Sequence, residues 1–146
     1  MIAMTSEAAK KAKKMVQEQR GNCAQSVLTS TGERASSGEI DYDTMMKIAS
    51  AFGGGMARMG NVCGAVTGAL MALGLRYGGP DSMKVDAYAK QLMDEFTSLH
   101  GSVICRDLIE HDLVTVEDVE KAFKTGAFDN CPKFVEDAVG LLEKLL

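Results

Sequence analysis

With 146 residues, 46% of them hydrophobic and 25% charged, the chain is long enough to bury a core without disulfide staples and reads as one domain over residues 1–146. A net charge of −4, with no lysine or arginine patch interleaved with aromatics, speaks against nucleic acid as the main partner. The longest nearly uncharged apolar run, Val62 to Leu75, is too short for a membrane span, and the N-terminal stretch lacks the apolar region of a leader.

Apolar residues recur at three- and four-residue spacing and β-branched alternation is missing, so the expected fold is all-α, a compact bundle of seven or eight helices. Thr5 or Ser6 caps a first helix running to about Gln19, with the lysines of KKAKK (Lys10 to Lys14) on a solvated face. Asn22 caps a short second helix that carries Cys23, Val27 and Leu28 and ends near Gly32, before a polar loop over residues 31–41. Asp41 or Asp43 opens a third helix through Met45, Ile48 and Phe52. A glycine-rich stretch over residues 53–60 then leads into a fourth, with Asn61 as its cap and Cys63 in its first turn.

Tyr77-Gly78-Gly79-Pro80 stops the fourth helix, and Asp81 or Ser82 opens the longest one, which Gly101 breaks after His100. Ser102 caps a short sixth helix bearing Cys105. Thr115 and Asp118 form a capping box for a seventh that ends at Gly126, and Asn130 with Pro132 opens the last, with Cys131 beside its cap.

The cysteines share a pattern. Each follows a capping residue by one to three positions, so Cys23, Cys63, Cys105 and Cys131 all fall at helix starts, where free N–H groups and the helix dipole favour a thiolate. They open the second, fourth, sixth and eighth helices. Short connections make neighbouring helices antiparallel, so the four cysteines are expected at one end, together with the glycine stretch, Arg20, Arg58, Arg106 and His100. A cytoplasmic location is expected as well, and in a reducing compartment four cysteines read as free, catalytic or metal-bound rather than as staples.

Three chemistries compete for this set. In the first, a thiol oxidoreductase that needs no cofactor, Cys63 is the nucleophile, and Cys105, Cys23 or Cys131 resolves the intermediate formed with a redox partner protein or a small thiol or disulfide. In the second, the four sulfurs hold zinc or an iron–sulfur cluster, with His100 able to replace one ligand, although gaps of 40, 42 and 26 residues lack the close pairs usual in structural zinc sites. In the third, the glycine stretch and the helix start after it hold an anion while the cysteines only fill space; GGGMARMG has neither the spacing nor the preceding strand of a phosphate loop.

CGAVTGALMALGL (Cys63 to Leu75), with one cysteine upstream in GNCAQSVL and two downstream in VICRDL and NCPKFV, resembles the C_GCAxxG_C_C family. The core of the motif is met at Cys63, Gly64, Ala65 and Gly68, and the likeness covers nearly the whole chain. It implies that the four cysteines form one redox-active site and names no reaction or substrate. Gly64 and Gly68 also give the fourth helix a small face that another helix can approach closely.

Overall fold

The computed structural model describes residues 5–146; residues 1–4, which belong to the N-terminal stretch and to the 1–146 unit above, lie outside the described residues. Eight α-helices follow in order: α1 (Glu7–Gln17), α2 (Cys23–Ser36), α3 (Tyr42–Ala49), α4 (Gly64–Tyr77), α5 (Met83–His100), α6 (Cys105–Ile109), α7 (Val116–Thr125) and α8 (Cys131–Glu143). A 3-10 turn over Ser50–Phe52 prolongs α3, which accounts for reading that helix as far as Phe52. The fold is all-α, as the periodicity indicates. Among the described residues no helix is long and apolar enough to cross a membrane.

Side-chain caps set four of the eight helix starts. Ser6 accepts from the Ala9 N–H at 3.0 Å, and Asp41 accepts from the Thr44 N–H at 2.7 Å. Asn22 with Gln25, and Thr115 with Asp118, form reciprocal capping boxes. Each such cap stabilises its helix by about 1 kcal/mol. Gly101 and Gly126 close α5 and α7 in the left-handed conformation.

Two starts differ from the expectation. Asn61 does not cap α4, because Cys63 itself stands at the cap, and Ser102 does not cap α6, because Ile104 does. The cause is an isolated antiparallel bridge between Val62 and Ile104. Cys63 N–H donates to Val103 O at 2.7 Å and Cys105 N–H donates to Asn61 O at 2.6 Å, so the chain stays extended until each cysteine. The expected polar loop over residues 31–41 also yields ground, since α2 continues to Ser36. Thr31, Gly32, Ala35 and Ser36 are buried there, and Thr31 Oγ1 returns its proton to Val27 O at 2.7 Å, so the polar groups are satisfied within the helix.

The main core is built on the contact of α2 with α4, flanked by α1, α5 and α8. Its residues are small or medium: Ala24, Val27 and Leu28 from α2 meet Ala65, Val66 and Ala69 from α4, and Phe96, Val135 and Val139 close the far side. Glycine sets the separation. A Cβ on Gly68 would stand 2.7 Å from Ala24 O, and one on Gly64 would stand 3.0 Å from both Ala24 N and Phe52 O. A smaller cluster of Cys105, Leu113 and Ala122, with Val119, Ala127 and Phe128 against it, joins α6 and α7 beside this core.

The glycine-rich stretch adopts a left-handed turn of five successive residues, Gly54 to Arg58. Gly54 and Gly55 enter it freely, whereas Met56, Ala57 and Arg58 have φ of 65°, 51° and 57°, a conformation that costs roughly 1–2 kcal/mol for each L residue. Wide hydrogen bonds hold it, from Ala57 N–H to Ala51 O at 2.7 Å, Arg58 N–H to Gly53 O at 2.9 Å and Asn61 N–H to Gly55 O at 2.9 Å. Gly55 is required twice over, by its φ of 76° and by the 2.8 Å that a Cβ would leave to Cys105 Cβ.

The Gly68→Leu variant should lose about 1–3 kcal/mol or more, because its side chain must displace the α2 backbone. Thermal denaturation followed by circular dichroism checks this, and a melting temperature equal to that of the wild type would refute the close-approach role of Gly68.

Candidate functional site: a cavity lined by four cysteines

A cavity of about 860 Å³ opens where the main core meets the α6–α7 cluster, and all four cysteines line it. Cys23, Cys105 and Cys131 are the first residues of α2, α6 and α8, and Cys63 is the cap of α4. The alternation of helix directions thus brings four helix starts to one place, with every sulfur free of a disulfide. Cys63 and Cys105 lie on either side of the Val62–Ile104 bridge, diagonal to each other and on the same face of it.

The other residues expected at this end divide. Arg20, Arg58 and the glycines at 54 and 55 line the cavity. Arg106 does not; its Nε donates to Gly60 O at 3.2 Å and its stem lies over Gly60, outside the cavity. His100 is not among the lining residues either, so the substitution of His100 for a sulfur ligand finds no support in its placement. The imidazole sits at the C-terminal end of α5, packed against the Phe96 and Phe134 rings, with Nε2 2.9 Å from Asp137 Oδ2. Asp137 lies six residues along α8 from Cys131, about 9 Å by helix rise.

Burial reverses the expected order of thiol acidity. Desolvation pushes Cys63 up to about 12, and the N–H groups of Ala65 and Val66 at the start of α4 pull it back only in part. Desolvation likewise carries Cys105 up to about 11, with the Arg58 charge acting in the opposite sense. At Cys63 the helix start acts in the expected direction, and the loss of water acts against it and is the larger effect.

The acidified thiol is Cys131. A hydrogen bond from the Cys23 thiol holds Cys131 below the ordinary cysteine value, burial opposes this, and the Arg58 guanidinium assists. Cys23 is correspondingly pushed well above that value, first by the same hydrogen bond and then by burial. The Arg58 guanidinium favours the charged form of Cys131, and of Cys105 as well, so it draws negative charge towards these two sulfurs.

Arg58 is held over the Phe123 ring, 5.0 Å from its centroid, so α7 positions the cation that faces the thiols. Phe123 and Asp129, which raises Cys131 slightly, were not singled out by sequence reasoning. Asp129 carried a signal in standing two residues before Cys131; Phe123 carried none, since nothing in the sequence says that α7 folds over the glycine turn.

As a donor set, four sulfurs suit zinc or an iron–sulfur cluster in chemical type. Among the described residues no three His, Cys, Asp or Glu side chains are grouped as a ready-made metal site.

The family model described as "Putative redox-active protein (C_GCAxxG_C_C)" matches residues 21–145. The chain belongs to this family. The matched span runs from just before Cys23 to the end of α8 and takes in every cysteine. No curated protein and no solved structure matches the chain.

Two outcomes follow from the thiol environments. Above pH 9 the thiols of the unfolded chain ionise while Cys63 in the folded protein stays protonated up to about 12, so the unfolded state binds fewer protons and stability falls as pH rises. Denaturant titrations between pH 8 and 11 should show a shallower fall in Cys63→Ala than in the wild type, by on the order of a few kcal/mol at the alkaline end; parallel curves would refute the shift. Removing the cation in Arg58→Gln should raise the midpoint of the pH profile for alkylation of Cys131 by iodoacetamide, read by peptide mass mapping. An unchanged midpoint would show that Arg58 does not reach the sulfur.

Proposed function

We propose that the protein is a dithiol–disulfide redox protein in which Cys131 is the attacking thiolate and Cys23 the resolving thiol. The observation that carries this reading is the gathering of four disulfide-free cysteines on one cavity, where Arg58 and the neighbouring Cys23 thiol both favour a thiolate at Cys131. Membership of a family described as redox-active supports it. In this reading Cys131 takes the nucleophile's role in place of Cys63, because burial pushes the Cys63 thiol up while its surroundings hold Cys131 down.

In the forward step the Cys131 thiolate attacks one sulfur of a substrate disulfide, RS–SR′. A bond forms between Cys131 and that sulfur, the substrate S–S bond breaks, and R′S⁻ leaves and takes up a proton. Cys23 then gives up its proton and attacks Cys131 Sγ. The Cys23–Cys131 disulfide forms and the second substrate half leaves as a thiol. The substrate gains two electrons and two protons; the protein pair loses both electrons and the one proton of Cys23, and solvent supplies the other proton. The reverse sequence oxidises a substrate dithiol.

Thiol counting in denaturant, after exposure of the reduced protein to a small disulfide, tests the reading. Two of four thiols should disappear, and mass mapping should join Cys23 to Cys131. Cys23→Ser should stop at a mixed disulfide on Cys131, and Cys131→Ser should lose oxidation at Cys23 altogether. A mixed disulfide at Cys63 in Cys131→Ser, or four thiols left intact in the wild type, would overturn it.

A further inference from the structure

Resting on that reading, we infer that the substrate is a low-molecular-weight disulfide bearing negative charge, taken into the cavity whole or by one half, and not a disulfide on the surface of a protein. Size and access are the first grounds. Cys63, Cys105 and Cys131 are only 4%, 6% and 8% exposed, so the attacking sulfur lies below the surface where a folded partner's disulfide has no approach. The cavity of about 860 Å³ falls in the range of roughly 300–1,000 Å³ that holds small-molecule ligands.

Charge is the second ground. The chain as a whole carries −4, yet the cavity is lined by two arginines, Arg20 and Arg58, against one carboxylate, Asp129. Glu18 shares the charge of Arg20 at 3.6 Å, but it is not part of the lining. The starts of α2, α4 and α8 add their dipoles in the same sense. With the Cys131 thiolate counted beside Asp129 the side-chain charges of the lining balance and the helix starts tip it positive, whereas the molecule as a whole carries −4; such a cleft favours anions over the surface around it. The lining is otherwise divided between apolar side chains such as Leu108 and Phe128 and amides such as Gln25 and Asn22, which suits a peptide-like thiol carrying carboxylates.

The test uses three small disulfides of different charge on the intact reduced protein: oxidised glutathione (anionic), bis(2-hydroxyethyl) disulfide (neutral) and cystamine (cationic). Each rate is divided by the rate of the same disulfide with free dithiothreitol, so that intrinsic reactivity cancels. At low ionic strength the anionic disulfide should lead the neutral one by roughly tenfold and the cationic one by more, with the lead shrinking as salt is added. Arg20→Gln and Arg58→Gln should each bring the anionic-to-neutral ratio towards one. A neutral or cationic disulfide that reacts as fast as the anionic one would overturn the charge selection while leaving the dithiol chemistry intact. Rapid oxidation by a folded protein's exposed disulfide, with the small ones inert, would overturn the size selection. If no disulfide of either kind oxidises Cys23 and Cys131, both this inference and the redox reading fall.

Discussion

Everything at the cavity depends on how closely α2 and α4 approach. Ala24 lies against Gly64 and Gly68, with no room for a Cβ on Gly68 and a tight 3.0 Å left for one on Gly64. Ala24 follows Cys23 and Gly64 follows Cys63, so the contact that forms the core also fixes where two of the sulfurs stand. Core and site are built by the same residues. A loosening of α2 against α4 would therefore reach the thiols at once, before it reached α5 or α7.

Much of this was legible in the sequence. Ser6, Asn22, Asp41 and Thr115 announce helix starts through side-chain chemistry that acts within a few residues, and such local signals survive folding unchanged. The meeting of the four cysteines follows from a count of helices, which needs no boundary to be exact. The Val62–Ile104 bridge was not legible as a contact, although Val62, Val103 and Ile104 are β-branched residues standing just before two cysteines. Its partners are far apart in sequence, and pairing at that range leaves no local mark. The ranking of thiol acidity was hidden for the same reason, since desolvation depends on what folds over a residue and not on its neighbours in the chain.

The left-handed turn at residues 54–58 shows how local preference gives way to tertiary demand. Met56, Ala57 and Arg58 have no intrinsic taste for this conformation, and the flanking glycines and the carbonyls of Ala51 and Gly53 impose it. Its result is the placement of Arg58 between Phe123 and the thiols. Strain concentrated beside reactive groups and offset by the surrounding fold is a common arrangement at functional sites, and here it sets a charge.

The sulfurs of Cys23 and Cys131 face each other although they belong to α2 and α8, near opposite ends of the chain. A bond between them would close a loop of about a hundred residues, and in the chain-entropy account such a loop restricts the unfolded ensemble by about 4–5 kcal/mol. Thermodynamic reciprocity turns this around: whatever the disulfide gives to folding, folding gives to the disulfide. The reduction potential of the pair then reports the difference in folding stability between the disulfide and dithiol forms, so only a residue that weakens one form more than the other would change it while the chain stays folded.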